Sequence, residues 1–276
     1  MTAAPADAPT ELTALLGRDS PGTDRRLSDL LDYRRAGGPV FLAGDVLRLA
    51  GTGDRVLYTA YRDVLPPRQA SGTNWFADLV IYQGGELPGG ELNRSAGHWN
   101  SPAQLEVFQT VSGRTLLITA WRTAGGQPML RYQVCAPGTL AAVPFGAWHL
   151  TLVLDGPAAV FNLYTDLPGL RAGKPASASP FTERRAALHE QTKYRSGPAV
   201  EITARRAGPG FSLTGSACGL AAWGRGEPTA EPPWLRGIIA DRTLSSFYTA
   251  ADPLTLDGLC ARAHSSLPAH TDRSTW

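Results

Sequence analysis

Two hydrophobic periods divide the chain. Between residues 11 and 35 the apolar positions Leu12, Leu15 and Leu16, then Leu27, Leu30 and Leu31, recur at i, i+3 and i+4, the spacing of one face of an α-helix. The break at Ser20-Pro21-Gly22 predicts two short amphipathic helices, and Gly37-Gly38-Pro39 ends them. From residue 39 the period shortens. The runs PVFLAGDVLRLA, RVLYTAYRDV, FADLVIYQGG, QLEVFQTVSG, TLLITAWRT, MLRYQVCAPG, LAAVPFGAWHLTLVL and AAVFNLYTD are β-rich and punctuated by Gly, Pro and Asn. Short strands with tight turns and no helix between them predict an antiparallel sandwich or barrel, reaching to about residue 166.

Beyond residue 166 the pattern is mixed. DLPGLRAGKPASASPF is a Pro/Gly/Ser-rich connection, and TERRAALHEQTKYR reads as helix. AVEITARRA, FSLTGSACGLAAW and RGIIADRTLSSFYTA read as further strands, a degenerate second β-unit, before a closing helix in LTLDGLCARAHSSL. The expected organisation is a helical extension over 1–37, a β domain over 38–166, and a C-terminal α+β extension over 167–276 packed on that domain.

Composition narrows the functions. With 276 residues, 43% hydrophobic and 18% charged, the chain has the make-up of an ordinary globular protein able to bury a core. A net charge of +2 gives no electrostatic footprint for nucleic acid or a membrane surface. The N-terminus lacks a basic segment followed by an apolar one, and no apolar run is long enough to span a bilayer. The expectation is a cytoplasmic protein acting on a small molecule. Cys135, Cys218 and Cys260 are odd in number and widely spaced, so they are expected to be reduced, buried packing residues. The basic residues are almost all arginine, with lysine only at Lys174 and Lys193. That bias fits a GC-rich genome, or an arginine-rich pocket for carboxylate or phosphate.

The chemistry gathers in two stretches. In GELNRSAGHWNSPAQLEVFQTVSG, His98 and Asn100 alternate onto one face of a strand, and Glu106 opens the next apolar run. In GTLAAVPFGAWHLTLVL, Gly138, Pro144 and Gly146 precede a second histidine, His149. Two imidazoles and a carboxylate on a β scaffold form a common donor set for Fe, Mn, Ni or Zn as one divalent ion. An unpaired Glu106 at the head of an apolar strand would be costly to bury without such a partner.

These residues resemble the two motifs of the cupin superfamily. The second motif is matched at Gly138, Pro144, Gly146 and His149, with Val153 where the family has Asn. In the first, His98, Glu106 and Gly113 fit, while Asn100 stands where the family has a second histidine and the gap to Glu106 is five residues. The resemblance covers about residues 75–166. It implies a jelly-roll β-sandwich or barrel, a metal held by His98, Glu106 and His149, and homodimers. GELNRSAGHWN is further similar to the E…T-x-G-H-x-H run of cupin-type phosphoglucose isomerases, with Ser95 in place of Thr, and RVLYTAYRDV and DLVIYQGGELPG to that family's entry strands. That likeness offers Glu91 as a general base beside Glu106 and Asn100. Asn100 would ligate weakly or contact water or substrate, with Gln104 as a reserve ligand or substrate contact. Arg94, Trp99, Arg131 and Tyr164 are the other candidate substrate contacts, Arg94 as a clamp for an anionic group. His189, His264 and His270 are expected at the surface. The functions left open are Lewis-acid isomerisation, epimerisation or cyclisation in bacterial secondary metabolism, a non-haem Fe(II) oxygenase, and a binding module without turnover.

Overall fold

The computed structural model of the chain describes residues 15–16, 22–35, 40–43, 53–87, 89–100, 104–165 and 198–268. The helix expected over TERRAALHEQTKYR, most of the first N-terminal helix, His189, His270 and both lysines lie outside them. The described elements are, in order, β1 (Gly22–Arg26), α1 (Leu27–Arg35), β2 (Val56–Ala70), β3 (Thr73–Tyr82), β4 (Glu86–Leu87), β5 (Glu91–Leu92), β6 (His98–Trp99), β7 (Glu106–Arg122), β8 (Pro128–Cys135), β9 (Leu140–Val143) and β10 (Trp148–Thr165). After them come β11 (Ile202–Ala207), β12 (Gly210–Gly215), α2 (Ala217–Trp223), β13 (Glu227–Pro228), α3 (Pro233–Ile239), α4 (Leu244–Ala250) and α5 (Pro253–Ser266).

Two long strands organise the molecule. QLEVFQTVSG and TLLITAWRT, expected as separate strands, form one strand, β7; likewise HLTLVL and AAVFNLYT form β10. The two pair antiparallel from Trp148 opposite Ala120 to Tyr164 opposite Glu106, with register shifts between Val153 and Val160. The bend needs Gly113: at φ +70 its added Cβ would stand 2.5 Å from the Pro157 carbonyl oxygen and 2.8 Å from Ala158 Cα, a clash that any other residue would have to relieve by moving backbone.

Because both strands bend, their halves belong to two leaves. Phe108 and Val160 from one half meet Leu117 and Val153 from the other in a single interior core, which α1 closes with Leu27, Leu30 and Leu31. Their outward-facing neighbours lie in two separate clusters. Val107 and Phe161 pack under α3, α4 and α5, while Ile118 and Leu150 pack under β11, α2 and Trp223. With both faces covered, the strands read as nearly continuous apolar runs rather than alternating ones.

The main sheet runs β1-β2-β3-β10-β7-β8-β13, with β6 on β10 and β9 on β7. All its pairs are antiparallel except β13 with β8. The fold is the mainly β, antiparallel sandwich expected, and among the described residues the sheet remains open rather than closing into a barrel.

Several local expectations are corrected. Gly22–Arg26 is an edge strand, paired from Gly22↔Tyr61 to Arg26↔Val56, so the N-terminal segment extends the sheet. ACGLAAW is helical because Ser216 caps it, its hydroxyl accepting from the Gly219 N–H at 2.9 Å. RGIIADRTLSSFYTA forms α3 and α4, whose buried residues Leu235 and Ile239, then Leu244, Phe247 and Tyr248, follow helical spacing. Among the described residues 198–268 the C-terminal region is a hairpin, the short strand β13 and four helices. Of the cysteines only Cys135 is buried; Cys218 sits exposed on α2 and Cys260 is half-buried on α5.

Candidate metal centre

β6 pairs with the start of β10, placing His98 opposite His149. A bond from the Asn100 N–H to the Ala147 carbonyl, 2.9 Å, continues that pairing. The approach is close: a Cβ on Gly97, whose φ is +73, would fall 2.7 Å from the Trp148 ring. Both histidines thus come from one leaf, whereas Glu106 begins β7 in the other. The folded-over sheet brings them together.

Ligand atoms of His98, Glu106 and His149 all lie within 4.8 Å of one another. Glu106 Oε2 is 3.9 Å from His98 Nε2 and 3.6 Å from His149 Nε2. Donors held about 2.0–2.2 Å from one ion stand roughly 3–3.5 Å apart, so the group fits a shared ion with small adjustment. The two imidazoles meet edge to face at 4.1 Å between centroids, and Phe108 flanks His149 at 5.5 Å. His98 keeps 14% of its side chain exposed against 4% for His149 and 1% for Glu106, so it is the most exposed of the three.

Asn100 is fully buried, and neither atom of its carboxamide has a hydrogen-bond partner among the described residues. Tyr164 is also fully buried; it stands in register with Glu106 and packs on Phe76 with ring centroids 5.4 Å apart. Cross-strand partners share a face, so Tyr164 sits beside the carboxylate. Gln104 is fully buried two residues before Glu106.

Four sequence-based expectations are corrected. Glu91 and Arg94 form a buried ion pair of 3.0 Å, and Arg94 also donates to the carbonyls of Phe41, Ser95 and Ala96. Glu91 further accepts from the Ala43 N–H and the Thr203 hydroxyl. Burial pulls the Arg94 guanidinium below its ordinary pKa while Glu91 opposes the shift. With their hydrogen-bonding capacity spent on each other and on backbone, Arg94 is no anion clamp and Glu91 no general base. Trp99 packs with Trp148 and Leu150 on the outer face, its indole N–H bonded to the Pro198 carbonyl at 2.9 Å, so it is not a substrate contact. Arg131 lies two strands from His149, opposite Thr119, with its guanidinium over Trp121 and 3.9 Å from Glu227. That separation is about 10 Å, which puts Arg131 at the rim. His264 is exposed on α5 as expected, its ring against Phe145.

One residue of the group escaped the sequence reading. Asn162 Nδ2 donates to Glu106 Oε1 at 2.7 Å. The only signal was a polar residue interrupting the apolar run AAVFNLY.

Among the described residues no helix is long and apolar enough to cross a membrane. No protein-family model and no curated protein matches the chain. Solved structures that are similar to it include a sugar phosphate isomerase of a cupin superfamily from Silicibacter pomeroyi, 16% identical, with 65% of this chain and 85% of that one covered and a TM-score of 0.30. Oxalate decarboxylase from Lactobacillus farciminis, in a formate complex, is 17% identical over 36% of this chain and 30% of that one, TM-score 0.27. Peruvianin-I, a cysteine peptidase from Thevetia peruviana latex, is 15% identical over 33% of this chain, TM-score 0.26, and the match spans about half of it, 49%. At TM-scores this low the likenesses bear on no functional step, which leaves function to this chain's own residues.

Proposed function

We propose that the chain is a metal-dependent enzyme of the cupin type acting on a small oxygenated substrate at the His98–Glu106–His149 group. The observation that carries this reading is the convergence of two imidazoles and one carboxylate within 4.8 Å. The buried carboxamide of Asn100, the residue after β6, is without a partner among the described residues and supports it. Leaving such a group unsatisfied costs about 1–3 kcal/mol, which a bound ligand would offset.

A divalent ion, Fe, Mn, Ni or Zn, would supply Lewis acidity that eases proton loss next to a substrate carbonyl or from a hydroxyl. The chain's own residues do the remaining work. The interior core excludes water from Glu106 and His149, the His98 side admits the substrate, and Asn100 offers it one acceptor and two donor hydrogens. Tyr164, in register with Glu106 on the neighbouring strand, is a further candidate contact. This arrangement suits isomerisation, epimerisation or cyclisation. A second reading, O₂-dependent chemistry at non-haem iron, has the same two-histidine, one-carboxylate composition in its favour.

Elemental analysis of protein purified without chelators, paired with O₂ consumption, tests the proposal. Zinc, nickel or manganese without O₂ uptake is the expected result. Iron with substrate-dependent O₂ uptake selects the second reading. A chain that takes up none of these metals at saturating concentration overturns both and leaves a binding module.

A further inference from the structure

We propose that Asn162 is a positioning residue that restricts Glu106 to one ligating oxygen, and so sets how many coordination positions remain for substrate. The inference rests on the metal reading above. A glutamate can bind an ion through one oxygen or both. Here the two oxygens are treated differently. Oε1 accepts from the Asn162 amide at 2.7 Å, while Oε2 faces the two imidazole nitrogens at 3.9 and 3.6 Å. The hydrogen bond turns Oε1 away from the point where the three ligands meet.

The placement of Asn162 follows from register. It stands on β10 opposite Phe108, two residues along β7 from Glu106, and opposite Asp78 on β3. The Asp78 carboxylate is itself engaged by Arg62 at 2.5 Å and by the Asp63 N–H at 2.9 Å. The amide orientation is decided by Glu106, because a flip would set the carbonyl oxygen of Asn162 against a carboxylate oxygen, two acceptors in contact. Asn162 Oδ1 is buried without a partner among the described residues. A leucine would suit the apolar run around it and bury no unsatisfied oxygen, so packing gives no reason for asparagine here. The carboxylate gives one. Hydrogen bonds to ligating groups orient them, and their loss commonly weakens metal binding.

With Glu106 held to one oxygen, the protein offers three donor atoms, and the ion keeps open positions for a substrate that binds through two oxygens. The group therefore favours chelating substrates, such as hydroxy-carbonyl compounds, over ligands with a single oxygen.

The test titrates Co(II) alone into the metal-free full chain and into Asn162→Leu and Asn162→Ala. The readouts are the dissociation constant, the visible Co(II) spectrum and the melting temperature without metal. The expected result is binding weakened roughly 10–100-fold, with a spectrum altered toward higher coordination as the second oxygen is released. Variants that match the parent in affinity and spectrum overturn the role of Asn162 alone, as does a lowered metal-free melting temperature with an unchanged spectrum. A parent chain that binds no Co(II) overturns the metal reading itself. Should Asn162→Leu fail to fold, Asn162→Ala carries the same readouts.

Discussion

Glu91 and Glu106 are both buried carboxylates in the same motif region, and their surroundings differ in one respect. Glu91 is saturated: Oε1 accepts from Arg94 at 3.0 Å and Thr203 at 2.6 Å, and Oε2 accepts from the Ala43 N–H at 3.0 Å. Through Arg94 the cluster ties the backbone at Phe41, Ser95 and Ala96 to β5 and β11. Glu106 has its Oε1 taken by Asn162, while Oε2 faces two imidazole nitrogens at 3.6 and 3.9 Å. Asn100, two residues from His98, adds a buried amide with no partner among the described residues. A buried charge must be paired, bound to a metal or neutralised. The Glu91 cluster is a strut because protein partners complete it. The Glu106 cluster is read as a site because it brings ligand atoms of two imidazoles and a carboxylate within 4.8 Å of one another.

The contrast is broken most severely by removing one half of the strut. Arg94→Ala leaves Glu91 buried and uncompensated, and a loss of about 3–5 kcal/mol is expected in denaturant unfolding. A loss below 1 kcal/mol would mean the knot is not a strut. Glu106→Gln should behave in the opposite way. Without metal its stability should equal or exceed the parent's, while the metal-induced rise in melting temperature disappears. In the parent that rise corresponds to about 2.7 kcal/mol at a hundredfold excess of metal over its Kd. A metal-free loss as large as that of Arg94→Ala would erase the distinction between the two carboxylates.

Cys135 takes the third route, and the expected effect is the smallest. Burial pushes its thiol up from 9.0 to about 12, so the fold favours the protonated form. Its contribution to stability is complete below about pH 9 and is lost as pH rises from 9 toward 12. At pH 8 a thiol alkylating agent should modify the exposed Cys218 and the half-buried Cys260 and spare Cys135, as read by mass spectrometry of the native chain. Alkylation of all three at equal rates would show that the interior core opens readily.

The resemblance carried by His98, Glu106, Gly113 and His149 was legible because its spacing reflects local geometry: strand alternation, a tight turn and a bend. Gly113 illustrates this, since its φ of +70 and the 2.5 Å approach to Pro157 are demands on one residue type. The roles of Arg94 and Glu91 are not legible locally, because a charged side chain in a sequence does not announce its partners. Theirs come from residues 41 and 43, the local backbone and Thr203. The segment that forms α3 and α4 carries a local β signal in Ile238, Ile239 and Tyr248. Packing on Val107 and Phe161 overrode that preference.

The sequence by itself determined the antiparallel β class, the positions of the tight turns, and three of the residues that converge. These depend on short-range period and on backbone conformations that few residues tolerate. Only the tertiary structure decided that β7 and β10 each serve two leaves, that Glu106 meets the histidines across the interior, and that Asn162 holds one of its oxygens. Those outcomes depend on the register between strands far apart in the chain, set by the summed burial of both sheet faces rather than by any one segment.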